Sequence, residues 1–362
     1  MKPKTILEVQ AAIRQVPQIL PRGGGSKPAL STPANESPVL DLSVLSGIVA
    51  YEPYEYTFTA LAGTSILEIE KSLAEQGQYM PFDPLLAQRG ATLGGTIAAN
   101  ANGPRRYRYG GVRDFLLGVR YVDGQGQLIS SGGKVVKNAA GFDIFKLMIG
   151  SLGQLGIVVE ATFKVFPAPE AWQSVNLEYT HLEDALQSLY RLSAAQVEID
   201  AVEIEPRSQG YSLQVRLSGA TGALSARRER LLNLLDQEQI TAHEIMLGPE
   251  ERRFWQEMRE MTWVPQGWGL VKVPLTPARI PALEAELHSS QVLRRYSAGG
   301  QVAWLAVQPD GEWLETLLSS QGLSGLALFG QPGKAVLGVR TGEAFYRRIK
   351  GALDPVKRFV EA

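Results

Sequence analysis

Between Ile157 and Val165 the chain alternates: Ile157, Val159, Ala161, Phe163 and Val165 are apolar, and Glu160, Thr162 and Lys164 are polar. A period of two predicts a half-buried strand. A period near 3.6 appears first at Ile66, Ile69 and Leu73, preceded by Ser65 and Glu68 in capping-box spacing and followed by Gly77. This predicts a short helix over about 66–76. Thr180 and Glu183 repeat that spacing ahead of Leu182, Ala185, Leu186, Leu189 and Leu192, the stripe of a second helix. Leu213, Val215 and Leu217 read as a strand. Helical patterns recur near 223–236, 277–289 and 342–353, and strand patterns near 269–274, 302–307 and 335–339. Helices and strands interleaved in this way predict an α+β sandwich in the second half.

Length divides the picture in two. A chain of 362 residues exceeds one ordinary core. The first half is rich in glycine and strands, and helices take over after Pro167-Ala168-Pro169, where two prolines favour an extended linker. The expected domains are 1–168 and 169–362.

Charge and composition narrow the function classes. Basic and acidic residues number 36 and 37; no basic excess points to nucleic acid. No apolar run approaches the roughly 20 residues that cross a bilayer. Residues 1–10 lack the apolar core of a secretory signal. The expectation is a cytoplasmic chain that reaches the inner membrane, if at all, as a peripheral protein held by partners. The chain has no cysteine, which excludes disulfides, thiol catalysis and cysteine-ligated clusters within it. Its three histidines, His181, His243 and His288, are scattered, so no metal site is expected. Any redox chemistry needs an organic cofactor.

Four glycine-bearing segments carry candidate chemistry. Arg22-Gly23-Gly24-Gly25-Ser26-Lys27 can bring backbone amides, a hydroxyl and two cations to an anion, and it can equally be a surface turn. Thr92-Leu93-Gly94-Gly95-Thr96 through Asn100 offers a bare backbone with hydroxyl and amide groups, or a tight turn into a packed helix. Asn102-Gly103-Pro104 through Asp114 holds Arg105, Arg106, Arg108 and Arg113 among aromatic residues, suited to an anion, a substrate carboxylate or a subunit contact. Gly150-Ser151-Leu152-Gly153 through Gly156 and Val158 leaves one edge of a loop bare before a strand. Competing motifs fail. Gly124-Gln125-Gly126 is followed by Ile129 where a Rossmann fingerprint needs glycine, and Gly133-Lys134 by Val135 where a P-loop needs Ser or Thr.

In order, these segments resemble the FAD-binding domain of the vanillyl-alcohol oxidase / p-cresol methylhydroxylase (PCMH-type) superfamily over residues 15–168. The resemblance rests on RGGGS, LDLSVLSGI (40–48), AGTSILEIEKSLAEQGQ (62–78), PFDP (81–84), ATLGGTIAANANG (91–103) and GSLGQLGIVVEATFKVFP (150–167). Within it, GPRRYRYGGVRDFLLG (103–118) and GGKVVKNAAGFDIFKLMIGSLGQLG (132–156) are similar to the E-subunit family of bacterial glycolate oxidases. The remainder is loosely similar to the C-terminal domain of FAD-linked oxidases.

The resemblance implies an α+β fold: a two-subdomain PCMH-type FAD-binding domain followed by an α+β sandwich. It implies FAD contacts at Arg22, Gly23, Gly24, Gly25 and Ser26 for the diphosphate. Gly94, Gly95, Thr96, Asn100 and Gly103 would meet the ribityl chain and ring, and Gly150, Ser151, Gly156 and Val158 would border the cofactor. With no cysteine, and no histidine before His181, the FAD would be noncovalent. The implied function is a subunit of a glycolate or D-lactate oxidase that oxidises a small 2-hydroxy acid beside a second FAD subunit and an iron–sulfur subunit. The alternative is a non-catalytic scaffold subunit of the same complex. No residue is assigned a catalytic role. The family's His-x-x-His-Gly-Asp-like segment is missing.

Among the remaining candidates, Arg105, Arg106, Arg108 and Arg113 read as structural ion pairs or phosphate contacts before a carboxylate clamp. Lys134, Lys137 and Asn138 are candidate cation and polar groups near the ring. Asp114 and Asp143 read as turn or cap residues, and the tryptophans at 255, 263, 268 and 304 as packing residues.

Overall fold

The computed structural model describes residues 1–33, 36–133, 143–235, 239–287, 291–309, 312–330 and 335–361. Lys134, Lys137, Asn138 and His288 lie outside them. The first half builds two units. A helix, Ile6–Gln15, packs Val9 and Ile13 beneath a parallel pair of short strands, Leu20–Arg22 and Val39–Asp41. Beside them stands a five-stranded antiparallel sheet. Its spatial order is Ile48–Glu52, Thr57–Leu61, Ile157–Lys164, Leu116–Val122, Leu128–Gly132.

The strand expected from alternation is Ile157–Lys164, but it is not half-buried. As the central strand it is covered on both sides, so Val158 and Thr162 are buried too, and Thr162 bonds Thr59 across the ladder at 2.8 Å. The helix Ile66–Ala74 starts where expected: Ser65 Oγ accepts from Glu68 N at 3.1 Å, and Gly77 takes φ +63°.

The second half is a nine-stranded sheet in which every described pairing is antiparallel. Its order is Ala242–Leu247, Ala171–Tyr179, Tyr211–Gly219, Ala201–Pro206, Leu293–Ser297, Val302–Val307, Gly269–Pro274, Ser324–Phe329, Val336–Gly338. The helix Leu182–Ala194 buries its expected leucine stripe. His181, not Thr180, occupies its N-cap, and no side chain caps it. The expected capping box is therefore one residue out of place.

Two features tie the halves together. The first is a charged junction. Arg105 meets Asp83 at 2.7 Å, and its guanidinium lies 4.7 Å from the Tyr79 ring centroid. Arg259, from the helix Gly248–Glu260, forks onto Glu70 at 2.6 and 3.2 Å. Burial opposes the charge of Asp83, but Arg105 and Arg259 hold its carboxyl below the ordinary range. The second is a return of the chain: helix Glu343–Leu353 sends Lys350 Nζ to Gln154 O at 2.9 Å and to Asp354 at 3.0 Å. Phe359 then bridges in parallel to Ile19.

Removing one partner of a buried pair leaves the other charge uncompensated. Asp83→Ala is expected to lower stability by about 3–5 kcal/mol, seen as a fall in the urea midpoint with little change in slope. An unchanged midpoint would show that the junction adds nothing to the fold.

Candidate functional site

Glycine decides how the first-half loops meet. A Cβ on Gly23 would lie 2.2 Å from Thr92 Oγ1, and one on Gly24 would lie 1.8 Å from Gly90 O. On Gly94 it would meet Ala62 Cβ at 2.8 Å, on Gly153 the Pro21 ring at 2.4 Å, and on Gly156 the Tyr121 ring at 2.7 Å. These bare edges, expected to face a ligand, are mostly filled by protein. At Gly24 backbone lies against backbone, and at the other four a neighbouring side chain fills the space. Gly25 differs: its φ is +72° and nothing stands near its missing side chain.

What the three loops enclose is a narrow channel. One cavity of about 70 Å³ is lined by Arg22 through Lys27, Thr92, Gly95, Ala98 and Leu152, among others. A second, of about 60 Å³, shares Arg22, Gly23, Thr92, Gly95, Ala98 and Leu152 with it and adds Gly94, Ser151, Gly156 and Val158. At Gly25 and Ser26 the first adjoins a cleft of about 1050 Å³, whose other walls include Arg89, Trp268, Phe329 and Arg340. The cleft lies between the glycine run of the first half and strands Gly269–Pro274, Ser324–Phe329 and Val336–Gly338 of the nine-stranded sheet.

Ten of the fourteen cofactor candidates therefore share one channel: Arg22, Gly23, Gly24, Gly25, Ser26, Gly94, Gly95, Ser151, Gly156 and Val158. The other four stand outside its described lining. Thr96 is fully buried, with no partner for its hydroxyl among the described residues. Asn100 ends the helix Leu93–Ala99 at φ +47°, and Gly150, at φ +75°, donates to Ile97 O at 3.0 Å. Gly103 packs against Asp83.

The cations of the site differ in their partners. Arg22 bonds Asp41 at 3.2 Å, and Asp41 also accepts from Ser43 Oγ at 2.6 Å. Burial works against that carboxylate, but these bonds keep its pKa below the usual value. Lys27 is buried in the channel wall, and its described hydrogen bond goes to neutral Ser26 Oγ at 3.1 Å. Lys272 reaches from the second sheet to Asn100 O at 2.9 Å, with Arg106 nearby. Burial pulls Lys27 down to about 8, and burial together with the nearby Arg106 does the same to Lys272. Leu152 and Lys272 escaped the sequence reading. A lysine inside the apolar strand GLVKVP was the available signal for the second.

The basic-aromatic segment has a structural use. Arg108 pairs with Asp200 at 2.7 Å, and Tyr107 meets Ser193 at 3.1 Å. Asp114 accepts from Gly111 N at 2.8 Å, the turn role expected of it. Asp143 stands at the N-cap of the turn Ile144–Met148 and pairs with Lys146 at 2.7 Å. Trp255 and Trp304 are buried; Trp268 lines the cleft.

Residues 1–132 match the family model described as an FAD binding domain. The glycolate oxidase subunit GlcE of Escherichia coli K12 is 35% identical over 253 residues, 70% of this chain and 67% of that protein. The chain belongs to the glycolate oxidase E-subunit family. It is an FAD flavoprotein of the oxidoreductase class. A D-2-hydroxyglutarate dehydrogenase of Xanthomonas citri pv. viticola is 36% identical over 56% of this chain and 43% of its own length. The glycolate oxidase subunit GlcD of Bacillus subtilis is 33% identical over 49% and 38%. The chain thus spans less than half of those two relatives. Among solved structures, alkyldihydroxyacetonephosphate synthase superposes with a TM-score of 0.72 at 18% identity, covering 99% of this chain and 74% of that one, a likeness of fold. Among the described residues, no helix is long and apolar enough to cross a membrane.

Two outcomes test this geometry. Gly24→Ala forces a methyl into a carbonyl and is expected to cost about 1–3 kcal/mol. Gly25→Ala meets only the left-handed backbone and is expected to cost about 1 kcal/mol; urea denaturation ranks the two. The lysines set a pH dependence. Their folded pKa values of about 8 lie below the ordinary 10.5, so between those limits the unfolded chain binds more protons. Stability of the cofactor-free protein should rise with pH across that window, and Lys272→Met should flatten the rise. Denaturation midpoints that are level from pH 8 to 10 would contradict it.

Proposed function

We propose that this chain is the FAD-holding subunit of a multi-subunit oxidoreductase that converts glycolate or D-lactate to the 2-oxo acid. The observation that carries the reading is the glycine channel, which adjoins the large cleft at Gly25 and Ser26. Its donors fit a dinucleotide: backbone at Gly23 to Gly25, the Ser26 hydroxyl and the Lys27 ammonium at one end, and an uncharged wall of Gly94, Gly95, Gly156 and Val158 at the other. Relatives named as glycolate oxidase subunits, D-2-hydroxyglutarate dehydrogenases and D-lactate dehydrogenases support a 2-hydroxy-acid substrate.

In this reading residues 1–168 hold the cofactor and 169–362 close the cleft over it. Arg22 to Ser26 hold the diphosphate, and Gly94, Gly95, Ser151, Gly156 and Val158 form the walls. Thr96, Asn100, Gly103 and Gly150 shape the helix end and loop behind those walls. Attachment is noncovalent in this reading: among the described residues no histidine lines either cavity of the channel, and the chain has no cysteine. When bound, FAD supplies a two-electron acceptor that can release electrons singly. Such a carrier suits a second flavin subunit and an iron–sulfur subunit as partners, in a cytoplasmic complex peripheral to the inner membrane.

The purified chain titrated with FAD should take up the flavin stoichiometrically and show its visible spectrum. A chain that stays colourless at saturating FAD would overturn the reading. In the reconstituted complex, Gly95→Asp places a carboxylate in the channel and should abolish FAD uptake by this subunit and lower glycolate turnover at least tenfold. Undiminished turnover by an intact complex would assign the chain a scaffold role.

A further inference from the structure

The channel contains a charge that the protein leaves unanswered. Lys27 follows the three glycines and turns its ammonium inward, where its described partner is the neutral Ser26 hydroxyl. Among the described residues, no carboxylate lines the cavity it borders. A buried ammonium without a counter-charge is costly, and the usual remedy is an anionic partner or loss of the proton.

The surroundings offer no other titrating group at this point. Arg22 is tied to Asp41, which also lies 3.7 Å from Lys2. The helix Pro28–Ser31, the helix Leu93–Ala99 and the loop 151–158 carry no ionisable side chain. Neither does the strand Ser324–Phe329, which packs against the first of these helices. Arg89, Glu312, Glu315 and Arg340 line the adjoining cleft.

We propose that Lys27 is the counter-ion of the cofactor's diphosphate, and that loading the dinucleotide on this chain takes up a proton at Lys27 in alkaline solution. The proposal rests on the channel being the dinucleotide site. In the cofactor-free pocket, burial lowers the lysine to about 8. A diphosphate beside it favours the charged form and lifts that value. Below pH 8 the lysine is charged before and after binding, and affinity is at its plateau. Above pH 8 the free pocket has lost a proton that the complex holds, so affinity falls by up to about tenfold per pH unit. Glycine loops alone would bind the same ligand with no such dependence.

The test measures FAD affinity by quenching of flavin fluorescence from pH 6.5 to 9.5 on the whole chain, beside Lys27→Met, which keeps the length of the side chain without its charge. Calorimetry at pH 9 in two buffers of different ionisation enthalpy counts the protons. The wild-type chain should lose affinity above pH 8 and take up close to one proton. Lys27→Met should bind about 10- to 100-fold more weakly at pH 7, with a flat profile and no proton uptake. If both proteins bind FAD with the same affinity and profile, Lys27 is not the counter-ion, and the channel still holds the dinucleotide. If the wild-type chain binds no FAD at any pH, the dinucleotide reading itself fails. Should Lys27→Met not fold, the wild-type proton count decides alone: FAD binding without uptake at pH 9 overturns the proposal.

Discussion

Close approach of neighbouring chain segments to glycine governs this molecule. Gly24 lies against the Gly90 carbonyl, Gly23 against Thr92, Gly94 against Ala62, and Gly153 against Pro21. Each contact would be closed to any residue with a side chain. Together they draw three loops, far apart in sequence, close enough to enclose a channel lined by residues 21–27, 92–99 and 151–158. The same closeness leaves little room for charged side chains. The channel's ionisable lining is Arg22 and Lys27, and the first is already engaged by Asp41.

Away from this channel, charge is concentrated at the junction of the two halves. Arg105 and Arg259 bind Asp83 and Glu70, and Arg108 binds Asp200. A nearby acid, Glu203, accepts from Ser297 Oγ at 2.6 Å and Ala298 N at 3.1 Å, and burial raises its pKa to about 8. Buried pairs of this kind contribute less to net stability than apolar packing would, but they tolerate few alternative arrangements. Holding the second half against the first also holds the cleft, whose walls are the nine-stranded sheet on one side and Gly25, Ser26, Pro28 and Arg89 on the other.

Much of this was legible in the sequence. The strands Gly269–Pro274 and Val302–Val307 lie where their apolar patterns put them, and the leucine stripe of Leu182–Ala194 is buried. The helix Gly248–Glu260 was not read. Its apolar positions are few, and its buried residues include Glu251 and Glu260, which are at ease only because Arg216 and Arg259 stand beside them. No periodicity records a tertiary partner. The glycine loops were visible singly through composition, but which loop meets which is a property of the folded chain. For that reason Gly103 and Gly150 were grouped with a ligand, and they contact Asp83 and the helix before the loop.

The segment 343–361 has a consequence for biosynthesis. Lys350 grips the carbonyl of Gln154, and Phe359 runs alongside Ile19, just ahead of the glycine run. During translation the residues that brace this wall leave the ribosome more than three hundred positions after the wall itself. These native contacts of the first half can form only when synthesis is nearly complete.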